Sequence, residues 1–192
     1  GGGRGVAMAG GMAKQGLIPV FAVYSSFLQR GFDMLIHDIS LDKLHAVFCV
    51  DRAGLVGADG QTHHGCFDPA YLTQIPGMTV LCPASFAELR DMLRYAICQV
   101  SGPVAIRYPR GGERDYTAAS DPVRCYITLQ DGADFTILSY GILINEALKV
   151  AELLAEKGIA VRVIKLNRIA PLSEADVASM LSGTWRLLVL ED

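Results

Sequence analysis

The chain has 192 residues, 51% of them hydrophobic, enough for one large or two modest domains with buried cores. Its formal net charge is −3 with both signs interspersed, which excludes a field strong enough to make nucleic acid or an anionic membrane the main partner. No apolar run approaches the roughly 20 residues that a membrane-spanning helix needs, and the opening Gly1-Gly2-Gly3-Arg4-Gly5 lacks the layout of a secretion signal, so the expected protein is globular and cytoplasmic.

Leu17 to Tyr24 is a short run of strand formers, and Ser25-Ser26 then offers an N-cap. Phe27, Leu28, Phe32, Leu35, Ile36 and Ile39 recur at three- and four-residue steps, which predicts a helix with one apolar face. Ala46 to Val50 is apolar throughout, as a parallel strand covered on both faces would be, and runs into Asp51-Arg52. After a glycine-rich loop at 54–65, Met78 to Cys82 reads as strand, Ser85-Phe86-Ala87-Glu88 as a capping box opening a helix to about Val100, and Pro103 to Arg107 as strand. This alternation predicts an α/β fold with a doubly wound, mainly parallel sheet and ligand groups outside the carboxyl ends of the strands.

Residues 112–133 lack periodicity and have the composition of an irregular, exposed linker. It divides a first unit, 1–111, from part of a second, 134–192. There Phe135 to Tyr140 reads as strand, Ile142 to Lys157 as helix ended by Gly158, Ala160 to Leu166 as strand, Ser173 to Leu181 as helix, and Trp185 to Leu190 as strand. The five cysteines are widely spaced with no Cys-x-x-Cys pair, and the four histidines have no strong metal spacing, so reduced, mostly buried thiols are expected and no metal ligand is assigned.

The sharpest feature is the segment from Asp51 to Gly65. Its glycines let backbone approach a ligand, and Arg52, Asp59 and His63 supply a cation, a carboxylate and an imidazole. Composition alone is equally compatible with an ordinary loop, with Arg52 or Arg110 in surface salt bridges to Asp51 or Glu113. Arg107, inside a strand two residues before Pro109, reads as structural.

Three segments carry a resemblance: Tyr24-Ser25-Ser26-Phe27-Leu28-Gln29-Arg30-Gly31-Phe32-Asp33, Asp51-Arg52-Ala53-Gly54 through Thr62-His63, and Arg107-Tyr108-Pro109-Arg110-Gly111. In order and spacing they resemble the signatures of the 1-deoxy-D-xylulose-5-phosphate synthases, transketolase-like enzymes. Asn167-Arg168-Ile169-Ala170-Pro171-Leu172 is similar to the stretch leading into a helix of that family's carboxyl-terminal domain. The resemblance implies condensation of pyruvate with glyceraldehyde 3-phosphate, with loss of carbon dioxide, using thiamine diphosphate and Mg2+ in a homodimer, for isoprenoid and thiamine precursor synthesis. It also implies that Phe27 stacks on the aminopyrimidine ring with Tyr24 and Arg30 in the same pocket. Arg52 and Arg110 would hold the triose phosphate, and His63, with Asp59 beside it, would contact the donor and move protons.

Aligned on Val6 to Ala13, the resemblance sets Gly2 where the family carries the glutamate that bonds the aminopyrimidine. The domain that grips diphosphate and magnesium has no counterpart in these residues. The chain is therefore expected to be inactive by itself. Two alternatives stay open: a 2-oxoacid dehydrogenase β-subunit or transketolase fragment, and a non-catalytic domain that acts only in association.

Overall fold

The computed structural model describes residues 1–191; Asp192, the last residue of the expected second unit, lies outside the described residues. Helix α1 (Gly2–Lys14) leads to strand β1 (Val20–Tyr24), which passes directly into a helical stretch over residues 25–40. That stretch is not the single regular helix its periodicity predicts. Helices α2 (Ser25–Leu28) and α3 (Phe32–Met34) are separated by a 3-10 turn, Gln29–Gly31, and α3 continues as a π-helical segment, Leu35–Ser40. The changing pitch leaves Leu28, Leu35 and Ile39 all fully buried in one cluster with Val6 and Ala9 of α1. Nor does Ser25 cap the helix. It lies inside the first turn, and its buried hydroxyl donates to Asp68 Oδ1 at 2.8 Å.

The chain continues through β2 (Val47–Asp51), α4 (Asp68–Leu72), β3 (Thr79–Leu81), α5 (Phe86–Cys98) and β4 (Val104–Tyr108). These strands form a parallel array in the order β1-β2-β4-β3. Alternate residues of β2 explain why it is apolar throughout: Phe48 and Val50 join the cluster under α1, while Val47 and Cys49 join Met92 and Ala96 of α5. The sheet is thus covered on both faces, in the doubly wound α/β arrangement. Ser85 accepts from Glu88 N at 3.1 Å, one half of the expected capping box. The other half is displaced: Glu88 Oε2 accepts from Ala84 N at 2.8 Å, one residue early.

The second sheet is built from β5 (Tyr126–Gln130), β6 (Phe135–Tyr140), β7 (Val161–Leu166) and β9 (Leu187–Leu190), in the order β5-β7-β6-β9. Only β5 runs antiparallel, against β7. Helix α6 (Ile144–Ala155) packs Ile144, Ala147 and Ala151 with Ile137, Val161 and Val163 of this sheet, and α7 (Glu174–Met180) begins with a complete Ser173–Asp176 capping box.

Two features depart from the composition. Within the predicted linker, 112–133, residues 126–130 are strand β5, and Tyr116 and Cys125 are buried. Tyr116 is drawn in because its hydroxyl donates to Glu88 and its N–H to Asn145, satisfying buried groups across the junction. Strand β8 (Arg168–Ala170), from the second unit, adds antiparallel to β3 of the first sheet. No helix among the described residues is long and apolar enough to cross a membrane.

Candidate functional site

Tyr24, Asp51 and Tyr108 stand in register across β1, β2 and β4, so the segments leaving these strands emerge at one edge. They begin with Ser25 to Phe27, Arg52, and Pro109-Arg110. Arg52 has φ +60°, a left-handed conformation that costs a non-glycine residue of order 1–3 kcal/mol. It is held there by its own neighbours: Arg52 N donates to Asp51 Oδ1 at 2.7 Å and Arg52 Nη1 to Asp51 Oδ2 at 2.6 Å. Ala53 N donates to Tyr108 O at 3.0 Å, tying the turn to the end of β4.

The glycine-rich loop is closed by a two-bond bridge, Gly54 N to Gly65 O at 2.9 Å and Gly65 N to Gly54 O at 2.8 Å. Gly65 has to be glycine, because a Cβ there would collide with Arg52 O and press on Ser25. Two 3-10 turns inside the loop, Gly57–Asp59 and Gln61–His63, carry the polar groups. Asp59 Oδ2 lies 3.0 Å from Arg52 Nε and 3.2 Å from Arg110 Nε, so one carboxylate draws both guanidiniums together. Burial works against the Arg52 charge, yet Asp51 and Asp59 outweigh it and hold the group above its ordinary range.

Arg52 Cζ stands 3.8 Å from the centre of the Tyr24 ring. Tyr24 in turn stacks on Phe27 at 5.3 Å, and His63 meets Phe27 edge-on at 5.4 Å. His63 Nδ1 is 2.9 Å from Thr62 Oγ1. Six of the seven sequence-predicted residues thus form one continuous group: Tyr24, Phe27, Arg52, Asp59, His63 and Arg110. Arg30 is outside it. The turn that carries Arg30 buries the adjacent Gly31 against Val6, and the arginine itself is exposed. Of the two salt bridges expected for isolated arginines, Arg52 does pair with Asp51, whereas Glu113 accepts from Phe86 N instead.

Two cavities flank this group. One of about 310 Å³ is lined by Arg52, Tyr108 and Arg110 on one side and by Ala84, Phe86 and Ile142 on the other. Burial, with Cys49 and Asp51, raises the Tyr108 hydroxyl to about 12 in spite of Arg52. The second, about 490 Å³, is bounded by Gly2, Gly5, Met8, Phe21, Tyr24 and Phe27. Phe27 is 47% exposed beside it, an aromatic face suited to a planar heterocycle. The residues here fit the ring end of thiamine diphosphate. Among the described residues no group of three or more His, Cys, Asp or Glu is arranged to hold a metal ion.

Sequence reasoning missed Asp68. It is fully buried, accepts from Ser25 Oγ and from Arg107 Nε at 2.8 Å each, and so anchors the start of α2 to β4. The available signal was Arg107 itself, a charge in an apolar strand that needs a buried counter-charge.

Residues 4–114 match the family described as transketolase, pyrimidine binding domain, and residues 126–192 match transketolase, C-terminal domain. Curated relatives include 1-deoxy-D-xylulose-5-phosphate synthases from Halalkalibacterium halodurans, 44% identical over 189 residues (96% of this chain, 30% of the relative), and Clostridium kluyveri, 45% over 190 residues (97% and 30%). The chain therefore spans about 30% of the length of these relatives. Among solved structures, one described as a split gene transketolase, inactive beta4 tetramer, superposes with a TM-score of 0.88 at 28% identity, covering 100% of this chain and 62% of that one. A transketolase mutant from Pichia stipitis, at TM-score 0.77, 19% identity, and 90% and 26% coverage, shares the fold.

Proposed function

Since the chain belongs to the transketolase family, joining its pyrimidine-binding and C-terminal domains, we propose that it is the acceptor-binding part of a thiamine-diphosphate-dependent 1-deoxy-D-xylulose-5-phosphate synthase. The observation that carries this reading is the convergence of Arg52 and Arg110 on Asp59 at the strand ends, beside an aromatic cavity. Two planar, permanently charged forks that share one carboxylate are suited to a phosphate, whose oxygens would take Asp59's place. The reaction joins pyruvate and glyceraldehyde 3-phosphate and releases carbon dioxide. The domain division at 111 and 134 belongs to the same reading.

When bound, thiamine diphosphate supplies a carbon nucleophile and an electron sink. The chain's own residues have narrower tasks. Phe27, backed by Tyr24, offers a flat face to the aminopyrimidine. Arg52 and Arg110 orient the acceptor by its phosphate. His63, 5.4 Å from the Phe27 ring, moves a proton at the substrate oxygen, with Asp59 nearby. Mg2+ and the diphosphate would be held by residues outside this chain, so the 192 residues do not turn over by themselves. Met8 of α1, Leu17 and Ile18 of the following turn and Val20 of the edge strand β1 are exposed, which supports assembly with a second copy.

The test is carbon dioxide release by the full-length protein from pyruvate, with thiamine diphosphate and magnesium, with and without glyceraldehyde 3-phosphate. Release stimulated by the triose phosphate is the expected result. Transfer from a ketose phosphate without decarboxylation would make it a transketolase instead.

A further inference from the structure

Lys165 lies in β7 among apolar neighbours and is fully buried. Its ammonium stands 3.0 Å from Glu88 Oε2 and donates to Asn167 Oδ1 at 2.6 Å. Glu88 is fully buried too, and each of its oxygens has a further partner: Oε1 accepts from the Tyr116 hydroxyl at 3.0 Å and Oε2 from Ala84 N at 2.8 Å. One carboxylate therefore ties together the turn before α5, the irregular segment that joins the sheets, and β7 of the second sheet. Asn167 extends the tie, donating to the carbonyls of Asp121 and Arg124. Burial pushes the Lys165 pKa down, and Glu88, followed by Cys82, pulls against that shift.

The turn held in this way is not remote from the proposed site. Pro83, Ala84 and Ser85 form the wall of the 310 Å³ cavity that faces Arg52 and Arg110. We propose that Lys165 is a positioning residue: from the second sheet it holds Glu88, and through Glu88 the wall of the anion cavity. The second sheet thereby sets how well Arg52 and Arg110 grip an anion. This rests on reading that cavity as an anion site. Without the ammonium the carboxylate is left buried and unpaired, a costly state that it escapes by turning toward water and releasing Ala84 N–H.

The experiment measures the affinity of the full-length protein for inorganic phosphate by calorimetry, with thiamine diphosphate and magnesium present and folding checked by near-ultraviolet circular dichroism. Lys165→Met should weaken phosphate about tenfold, since small displacements at a site cost that much or more. Two double variants leave no buried charge and so keep the comparison open if the single variant does not fold. Glu88→Gln/Lys165→Met retains an acceptor for Ala84 N–H and should bind within about twofold of the parent, whereas Glu88→Leu/Lys165→Met removes that acceptor and should again bind about tenfold more weakly. Equal affinity in the two double variants, with Arg52→Ala impaired, overturns the positioning role alone. Undiminished binding by Arg52→Ala overturns the anion reading beneath it.

Discussion

Replacing Gly65 with alanine asks whether closure of the 54–65 loop is what brings the two arginines together. The added Cβ would collide with Arg52 O, and it would lie 2.7 Å from Ser25 Cβ and 2.8 Å from Ser25 Oγ, so backbone has to move. The movement opens the Gly54–Gly65 bridge, losing two hydrogen bonds at about 0.5–1.5 kcal/mol each. Overpacking against the buried Ser25 adds about 1–3 kcal/mol, giving a loss of about 2–6 kcal/mol in all. Urea denaturation measures it, with Gly112→Ala as control because nothing lies within 4 Å of a Cβ at that position. The control should stay within about 0.5 kcal/mol of the parent. A Gly65→Ala protein that matches the control and binds phosphate like the parent refutes the idea that loop closure positions Asp59 and the arginines.

Asp59→Asn should tighten inorganic phosphate by about tenfold, because the anion no longer displaces a charge-assisted partner from Arg52 and Arg110; unchanged or weaker binding, measured by calorimetry, counts against the shared site. Burial raises the Tyr108 hydroxyl to about 12 and pushes Tyr71, Tyr116 and Tyr140 up as well. Between the ordinary value of about 10 and the raised one, the unfolded chain binds fewer protons, so stability is whole below about pH 10 and falls as pH rises through 12. Tyrosinate absorbance followed with circular dichroism should show these groups ionising as the fold is lost, and ionisation near pH 10 in an intact fold is the contrary result. The purified 192-residue chain should release no carbon dioxide from pyruvate with glyceraldehyde 3-phosphate, thiamine diphosphate and magnesium, and Gly2→Glu should not restore release, since a Cβ at Gly2 already collides with Phe27 O; clear turnover by either would contradict this.

The features legible in the residues were those that depend on local pattern. The unbroken apolar run of β2 signals burial on both faces, and Phe48/Val50 against Val47/Cys49 shows why no polar residue interrupts it. Residues just beyond the ends of parallel strands share one edge, so Arg52 and Arg110 could be expected near each other before any distance was known, whereas Tyr24 and Phe27 were grouped only through the family resemblance. The features that escaped are set by partners distant in sequence. Nothing near Ser25 reveals that its hydroxyl prefers Asp68, 43 residues away, to the helix end. The displaced half of the α5 capping box follows from Lys165, far along the chain, and β5 and β8 owe their pairing to β7 and β3 rather than to their own composition. Arg30 lies in the 3-10 turn that interrupts the expected helix and is exposed, outside the group formed by the other six residues.

The claim that Arg52 and Arg110 form the acceptor's phosphate site is tested most directly by steady-state kinetics of Arg110→Ala in the full-length protein. The variant should raise the apparent KM for glyceraldehyde 3-phosphate by about tenfold or more, as loss of one charge-assisted contact implies, and leave the KM for pyruvate within about twofold. An unchanged constant for the triose phosphate, or an equal rise for pyruvate, would contradict it.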